Sequence, residues 1–371
     1  MTSRRSSKKI DRGQFLRLAS GLVGTVLATP LIQACQRLGM VEPTATPSPV
    51  PTATLGPSPT PAPGAATVAL VKTDDRAEGV RRAIELLGIN PVAEKKVLVK
   101  PNFNSADPAP ASTHPVVLRS TIVKLLEMGA SQITVGDRSG QGDAAHIMQG
   151  IGGFEMAEEL GFGFINFAKL DRDGWTMIEP PDTHWVSGRY PLGPGFPFAR
   201  PVLDAGAVVS VCCLKTHAHG GGITMSLKNS VGMVAARLSG DKYAHSYMTH
   251  ILHAGNTPRK VVEINLAYEP ALIVLDGVDA FNRGGPATGT RVSPGVVMAG
   301  TDRVAIDALA TAILKRFGAS LAKVSEVYQI HHAIKLGLGI DSPEKIHILT
   351  DDENSARFAQ TMHGYMTENW A

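Results

Sequence analysis

The chain has 371 residues, with 36 Lys and Arg against 33 Asp and Glu, a formal charge of +3, 43% hydrophobic residues, 25 prolines and three cysteines. That length accommodates about two ordinary domains of roughly 150 residues each, and three cysteines exclude a small fold stapled by disulfides. The charge is unevenly spread: residues 1–35 hold Arg4, Arg5, Lys8, Lys9, Arg12 and Arg17 against Asp11, a local +5 that leaves −2 for the remainder. A basic, nucleic-acid-binding protein is excluded, because the positive charge belongs to the leader.

Residues 15–34 are mostly apolar but interrupted by Arg17, Ser20, Thr25 and Thr29, and Cys35 follows. A basic start, a short apolar stretch and a small residue at the cleavage point describe an export signal. Ile32-Gln33-Ala34-Cys35 resembles a bacterial lipobox, so residues 1–35 read as a signal peptide and Cys35 as the lipidated first residue of the mature chain. The stretch is short and broken for a spanning helix of about 20 apolar residues, which places an uncleaved anchor second. The export route stays open between the general secretory and twin-arginine systems. Gly13 stands where a second arginine belongs before Gln14-Phe15-Leu16, and the true pair Arg4-Arg5 is not followed by Phe-Leu. Residues 36–66 carry eight of the prolines and almost no charge. With fixed backbone angles and little to bury, they read as an extended spacer holding a globular body away from a membrane.

From residue 67 to 371, short β-branched runs alternate with helical patterns. Residues 67–71 read as a strand, 76–87 as a helix closed by Gly88, and 97–99 as a second strand. A helix over 115–128 follows, with Leu118, Ile122, Leu125 and Leu126 on one face, Thr113 as N-cap, Pro115 in the first turn and Gly129 as C-terminal cap. A third strand, 133–135, ends at Gly136-Asp137. The pattern weakens over 140–205, where Gly and Pro accumulate and an irregular insertion or hairpin region is expected. It resumes with a buried strand at 207–213, a glycine-rich loop and a helix near 227–236. Further strands are expected at 272–275 and 296–298, then a helix over 303–317 that is apolar nearly all round, and a last helical pair at about 322–337 and 354–366. Such alternation predicts an α/β domain, a mostly parallel sheet with helices on both faces.

In open parallel sheets, ligands bind beyond the carboxyl ends of the strands. The residues there form a consistent polar set: Lys100 and Asn102 after the second strand, Asp137 and Ser139 after the third, Lys215 and His217 after the fourth, and Asp276 after the fifth. The stretch LKTHAHGGGITMSLKNSVG, 214–232, adds Gly220, Gly221, Thr224, Lys228 and Asn229. Consecutive glycines permit close backbone approach, and a glycine loop feeding a helix start predicts an anion site. Its spacing is not that of a Walker A loop. His217 and His219, flanking Ala218, are candidate ligands for a divalent metal, although no H-E-x-x-H is present. Adjacent Cys212 and Cys213 point to opposite faces of a strand, so no iron–sulfur cluster is expected.

These motifs resemble the prokaryotic family known as domain of unknown function 362. The resemblance runs over about 68–314 and rests on KPNFN with THP (100–115), GDRSG (136–140), the 214–232 stretch, LDGVDA with GGP and Gly289 (275–289), and AGTDRVAIDALA (299–310). Some members carry ferredoxin-type cysteine clusters that this chain lacks. More distantly, the strand-end lysines and His/Asp loops resemble lactate racemase-like α/β proteins, which act on small hydroxy acids.

The expectation is therefore an exported, membrane-anchored enzyme acting on a small carboxylate or phosphate. Lys100, Lys215 and Lys228 would supply charge, Asn102 and Asn229 orientation, Asp137 or His217 proton transfer, and Lys215 or Lys228 a low-pKa amine. The alternative is a lipoprotein that captures an anionic ligand without turning it over. A single sheet with a deep polar cleft favours the enzyme, and two hinged lobes favour the binder.

Overall fold

The computed structural model describes residues 64–186, 194–218, 222–238 and 247–371. Residues 1–63, which hold the expected leader, Cys35 and most of the expected spacer, together with His219, Gly220 and Gly221, lie outside the described residues. The elements are β1 (Ala66–Lys72), α1 (Arg76–Leu86), β2 (Lys96–Lys100), α2 (Pro115–Glu127), β3 (Gln132–Asp137), α3 (Ala144–Gly150), α4 (Gly153–Leu160), β4 (Gly163–Asn166), β5 (Trp175–Ile178), β6 (Phe196–Ala199), α5 (Arg200–Leu203) and β7 (Ala207–His217). They continue with β8 (Gly222–Thr224), α6 (Ser226–Asn229), α7 (Thr257–Glu263), β9 (Leu272–Gly284), β10 (Gly289–Val292), β11 (Val296–Gly300), α8 (Arg303–Arg316), α9 (Tyr328–Lys335), β12 (Ile346–Leu349) and α10 (Glu353–Glu368).

Ten of the described strands form one sheet whose spine runs β12-β1-β11-β9-β7-β2-β3-β4, with β10 on β9 and β8 on β7. The ladders β1/β12, β2/β3, β2/β7, β3/β4 and β7/β9 are parallel. β11 runs antiparallel to both β1 and β9, where the sequence pattern had suggested another parallel strand. A parallel return needs a crossover, usually a helix, and between β9 and β11 the chain makes only the β10 return.

Strand alternation sorts the core into two faces. Ala69, Val71, Val97, Val99, Val209 and Val211 pack beneath α1 to α4. Val68, Leu70, Cys212, Leu214, Ile273 and Leu275 face α8, α9 and α10, and Leu98 and Val208 meet an aromatic cluster that includes Trp175, Trp185, Phe196 and Phe198. α8 is buried from Arg303 to Leu314, as its apolar character requires. Among the described residues, no helix is long and apolar enough to cross a membrane.

Three local expectations are corrected, and one strand was not expected. The N-cap of α2 is His114, whose Nδ1 accepts from the Val116 N–H, because the Thr113 hydroxyl is engaged by the Asn102 N–H at 2.8 Å. The irregular stretch is narrower than 140–205: residues 144–166 form two helices and an edge strand of the main sheet, and only the β5/β6 ladder with its flanks stands apart. The helix near 227–236 is the single turn α6 followed by a tight 3₁₀ turn over Ser230–Met233. β12 was absent from the sequence reading because two of its four residues are partly exposed and one is a histidine, which blurs the strand signature.

Candidate functional site

β2 lies between β3, which follows it through α2, and β7, which comes much later in the chain. This is a topological switch point, where the loops after neighbouring strands diverge and leave a crevice. A cleft of about 600 Å³ opens there, lined by Lys100, Asn102, Asp137, His217, Thr224, Lys228 and Asn229 among others. Seven of the residues singled out in the sequence therefore meet in one place.

At its floor, Lys100 Nζ and Asp137 Oδ1 are 2.8 Å apart and both side chains are buried. The other carboxylate oxygen accepts from the Phe103 N–H at 2.8 Å. Burial pushes the Lys100 pKa down and the Asp137 pKa up, with their mutual attraction opposing both shifts. Wherever the proton rests, the pair adds no net charge to the cleft. Gly232 covers it: a Cβ at that position would stand 2.1 Å from Asp137 Oδ1 and 2.7 Å from Lys100 Nζ. Only a hydrogen lets the backbone approach this closely, and the Gly232 carbonyl also accepts the Arg138 N–H at 3.0 Å.

A chain of amides extends from this pair. Asn229 accepts from Asn102 Nδ2 at 3.2 Å, and its own amide donates to the Lys100 carbonyl at 3.1 Å and to Ser210 Oγ at 3.0 Å. Asn102 Oδ1 in turn accepts from Lys215 Nζ at 2.8 Å. Lys215 thus does not reach the cleft as the sequence reading expected. β7 continues to His217, so Lys215 is a fully buried mid-strand residue whose ammonium is held by Asn102 and the Ala111 carbonyl. Burial pushes its pKa down to about 8. Its position makes it a support for Asn102.

Lys228 is the cleft's amine. Its Nζ lies 2.9 Å from His217 Nε2, and burial, aided by the charge of Lys215, pushes its pKa down to about 7. Among the described residues no carboxylate forms a salt bridge with it. Two cations at that separation repel, so the contact is favourable when the pair carries a single proton between the facing nitrogens.

Three further expectations change. Asp276 is a mid-strand residue because β9 runs on to Gly284; its carboxylate is held by Arg76 Nε at 3.0 Å in a cluster with Asp279, away from the cleft. Ser139 directs its hydroxyl to the Asn104 carbonyl at 3.2 Å. The expected anion site at the start of α6 is occupied by the protein itself: the Ser226 and Leu227 N–H groups donate to the buried Asp307 carboxylate at 2.8 and 3.0 Å. Burial raises Asp307 to about 7 against these bonds. His219, Gly220 and Gly221 lie outside the described residues, and among the described residues no group of three or more His, Cys, Asp or Glu side chains could hold a metal ion.

The sequence reading passed over Asn104, Arg138, Gly232 and Asp307 as site residues, although each belongs to a quoted motif. The Arg138 guanidinium is buried in the wall, donating to the carbonyls of Val234, Ser139 and Val231 at 2.7, 3.0 and 3.2 Å, with no carboxylate in salt-bridge contact among the described residues. With the Lys100–Asp137 pair neutral, Arg138 and Lys228 give the cleft a positive surplus. Asn104 Nδ2 and Thr224 Oγ1, both on the cleft lining, are buried polar atoms with no hydrogen-bond partner among the described residues. Buried polar groups are ordinarily satisfied, so these two offer bonds to a bound molecule.

Comparison with known proteins adds the lineage. The Thylakoid-associated protein sll1697 of Synechocystis sp. is 24% identical over 226 residues, covering 59% of this chain and 63% of its own length, so the match spans less than two thirds of that relative. Among solved structures, the lactate racemase apoprotein from Thermoanaerobacterium thermosaccharolyticum is similar at 12% identity and a TM-score of 0.34, over 59% of this chain and 51% of that one. A protein from Thermotoga maritima is similar at 16% identity and a TM-score of 0.34, over 54% and 49%. The model of the domain of unknown function DUF362 matches residues 97–312, which contain every described residue of the cleft floor and its supports, and the chain belongs to that family.

Proposed function

We propose that this protein is an exported, lipid-anchored enzyme that acts on a small carboxylate or phosphate in the cleft beyond β2, β3 and β7. The observation that carries this reading is the Lys228–His217 contact: a half-buried amine without a carboxylate partner among the described residues, with a pKa near 7, in a cleft whose net charge is positive. An amine poised near neutrality accepts a proton, or attacks a carbonyl, at working pH. His217 exchanges the proton with it. Arg138 would lower the energy of negative charge that develops on the substrate, while Asn102, Asn229, Asn104 and Thr224 orient it. A single sheet with a polar cleft supports turnover over capture, since no second lobe or hinge is needed to explain the site.

The test is a panel of small carboxylates and phosphates added to the purified chain, read by thermal shift and by NMR for conversion. At least one compound should raise the Tm and be consumed, with consumption lost in Lys228→Met while that variant still folds. Stabilisation without conversion by any member returns the protein to the capture reading; no stabilisation by any anion removes both. For the anchor, Cys35→Ser should release the chain from the membrane fraction, and unchanged fractionation would refute lipidation at that residue.

A further inference from the structure

The cleft does not end at Arg138. A side space of about 470 Å³ adjoins it, and Arg138, Gly140, Met248 and His253 line both. The two volumes each fall within the usual range for small-molecule sites. Together they carry an imbalance of charge. Among the described residues, the combined lining holds the cations Lys100, Arg138, Lys228 and Arg237 against one carboxylate, Asp137, and no acid lines the side space. Lys100 cancels Asp137 at 2.8 Å. Arg138, Arg237 and the protonated fraction of Lys228 are left without counter-charge.

The surplus is spread along the passage rather than gathered at one point. Lys228 and His217 line the cleft alone, Arg237 the side space alone, and Arg138 both. Arg138 is buried and fixed: the carbonyls of Val234, Ser139 and Val231 hold it at 2.7, 3.0 and 3.2 Å, and Met248 Sδ lies 3.2 Å from Nη2. Those partners are neutral, and a buried cation is costly until an opposite charge reaches it. Arg237 is exposed, and no carboxylate forms a salt bridge with it among the described residues. Thr249, exposed in the same space, adds a hydroxyl. An anionic group set against Lys228 leaves Arg237 unanswered. We infer that the natural substrate carries two anionic groups, as a small dicarboxylate or a phosphorylated carboxylate does, one beside Lys228 and Arg138 and the other in the side space between Arg138 and Arg237. This rests on the anion-cleft reading and narrows it: a monocarboxylate would leave the side space without its counter-charge. Complementary charge at two fixed positions selects the longer, doubly anionic molecule over a singly anionic one of the same size.

The experiment uses the full chain and isothermal titration in about 0.15 M salt, where attraction between distant charges is screened beyond about 8 Å. The matched probes are butyrate against succinate, valerate against glutarate, and ethyl phosphate against phosphoglycolate, each pair exchanging a terminal methyl for a carboxylate. In at least one pair the member with the added carboxylate should bind about tenfold or more tightly, the gain expected from one charge-assisted hydrogen bond. Arg237 is exposed, so Arg237→Gln removes its charge without disturbing the core. That variant should erase the preference and leave the affinity of the methyl member unchanged. Equal affinity within every pair, or a preference that survives Arg237→Gln, overturns the inference while leaving the anion cleft standing. Binding of no probe overturns the cleft reading itself.

Discussion

Replacing Gly232 by alanine isolates the close approach that covers the buried ion pair. Gly232 has no left-handed backbone angle to lose, so at an open position the exchange would stabilise the chain by about 0.4–1 kcal/mol through the unfolded state. Here the new methyl would stand 2.1 Å from Asp137 Oδ1 and 2.7 Å from both Cε and Nζ of Lys100. The carboxylate must retreat by about 1 Å even for a tight contact, yet it is pinned by Lys100 Nζ at 2.8 Å and by the Phe103 N–H at 2.8 Å. Separating a buried pair costs about 3–5 kcal/mol, which outweighs the entropic gain and sets the sign. Urea unfolding followed by circular dichroism should therefore show Gly232→Ala destabilised by about 3 kcal/mol or more. In a Lys100→Leu, Asp137→Ala background the atoms that clash are gone, and the same exchange should cost less than about 1 kcal/mol. A loss below about 1 kcal/mol in the otherwise native chain, or an equal loss in both backgrounds, would falsify the proposed packing.

Three other outcomes follow from the same geometry. With its pKa lowered from 10.5 to about 7, Lys228 should be acetylated by acetic anhydride with a rate that rises through pH 7, well below the exposed lysines; mass mapping that finds it titrating with them refutes the assignment. Asp307 is raised from 3.8 to about 7, so the native state binds its proton more tightly than the unfolded chain does. Its contribution to stability is greatest below about pH 4 and is lost as pH rises to 7, and Asp307→Asn should flatten that part of the stability profile; an unchanged slope counts against it. Arg76→Met leaves the buried Asp276 carboxylate without its cation and should cost about 3–5 kcal/mol without changing anion affinity in the cleft. A parallel loss of affinity would return Asp276 to the site.

How much of the site was legible depends on where strands stop. Lys100 and Asp137 were correctly placed because β2 and β3 end where their β-branched runs end. Lys215 and Asp276 were misplaced for one shared reason: β7 and β9 continue past their apolar segments, to His217 and Gly284, and pair with the short returns β8 and β10. A strand extended by such a hairpin carries its polar residues as mid-strand positions, and burial then demands partners for them, Asn102 and the Ala111 carbonyl for Lys215 and Arg76 for Asp276. His217 and Lys228, eleven positions apart, were each visible, but nothing in their spacing showed that they touch.

The sequence by itself determined the class of fold, through the alternation of β-branched runs and helical faces. It also determined the family and seven residues of the cleft's lining, since residues just beyond parallel strands converge at one edge of the sheet. These are consequences of local periodicity, which the chain carries in its order of residues. Only the tertiary structure decided the direction of β11, the use of the α6 amides by Asp307 and the closeness of Gly232 to the ion pair. Each of these is a contact between segments distant in the chain, set by how three packed layers leave or deny space, and no local pattern encodes that distance.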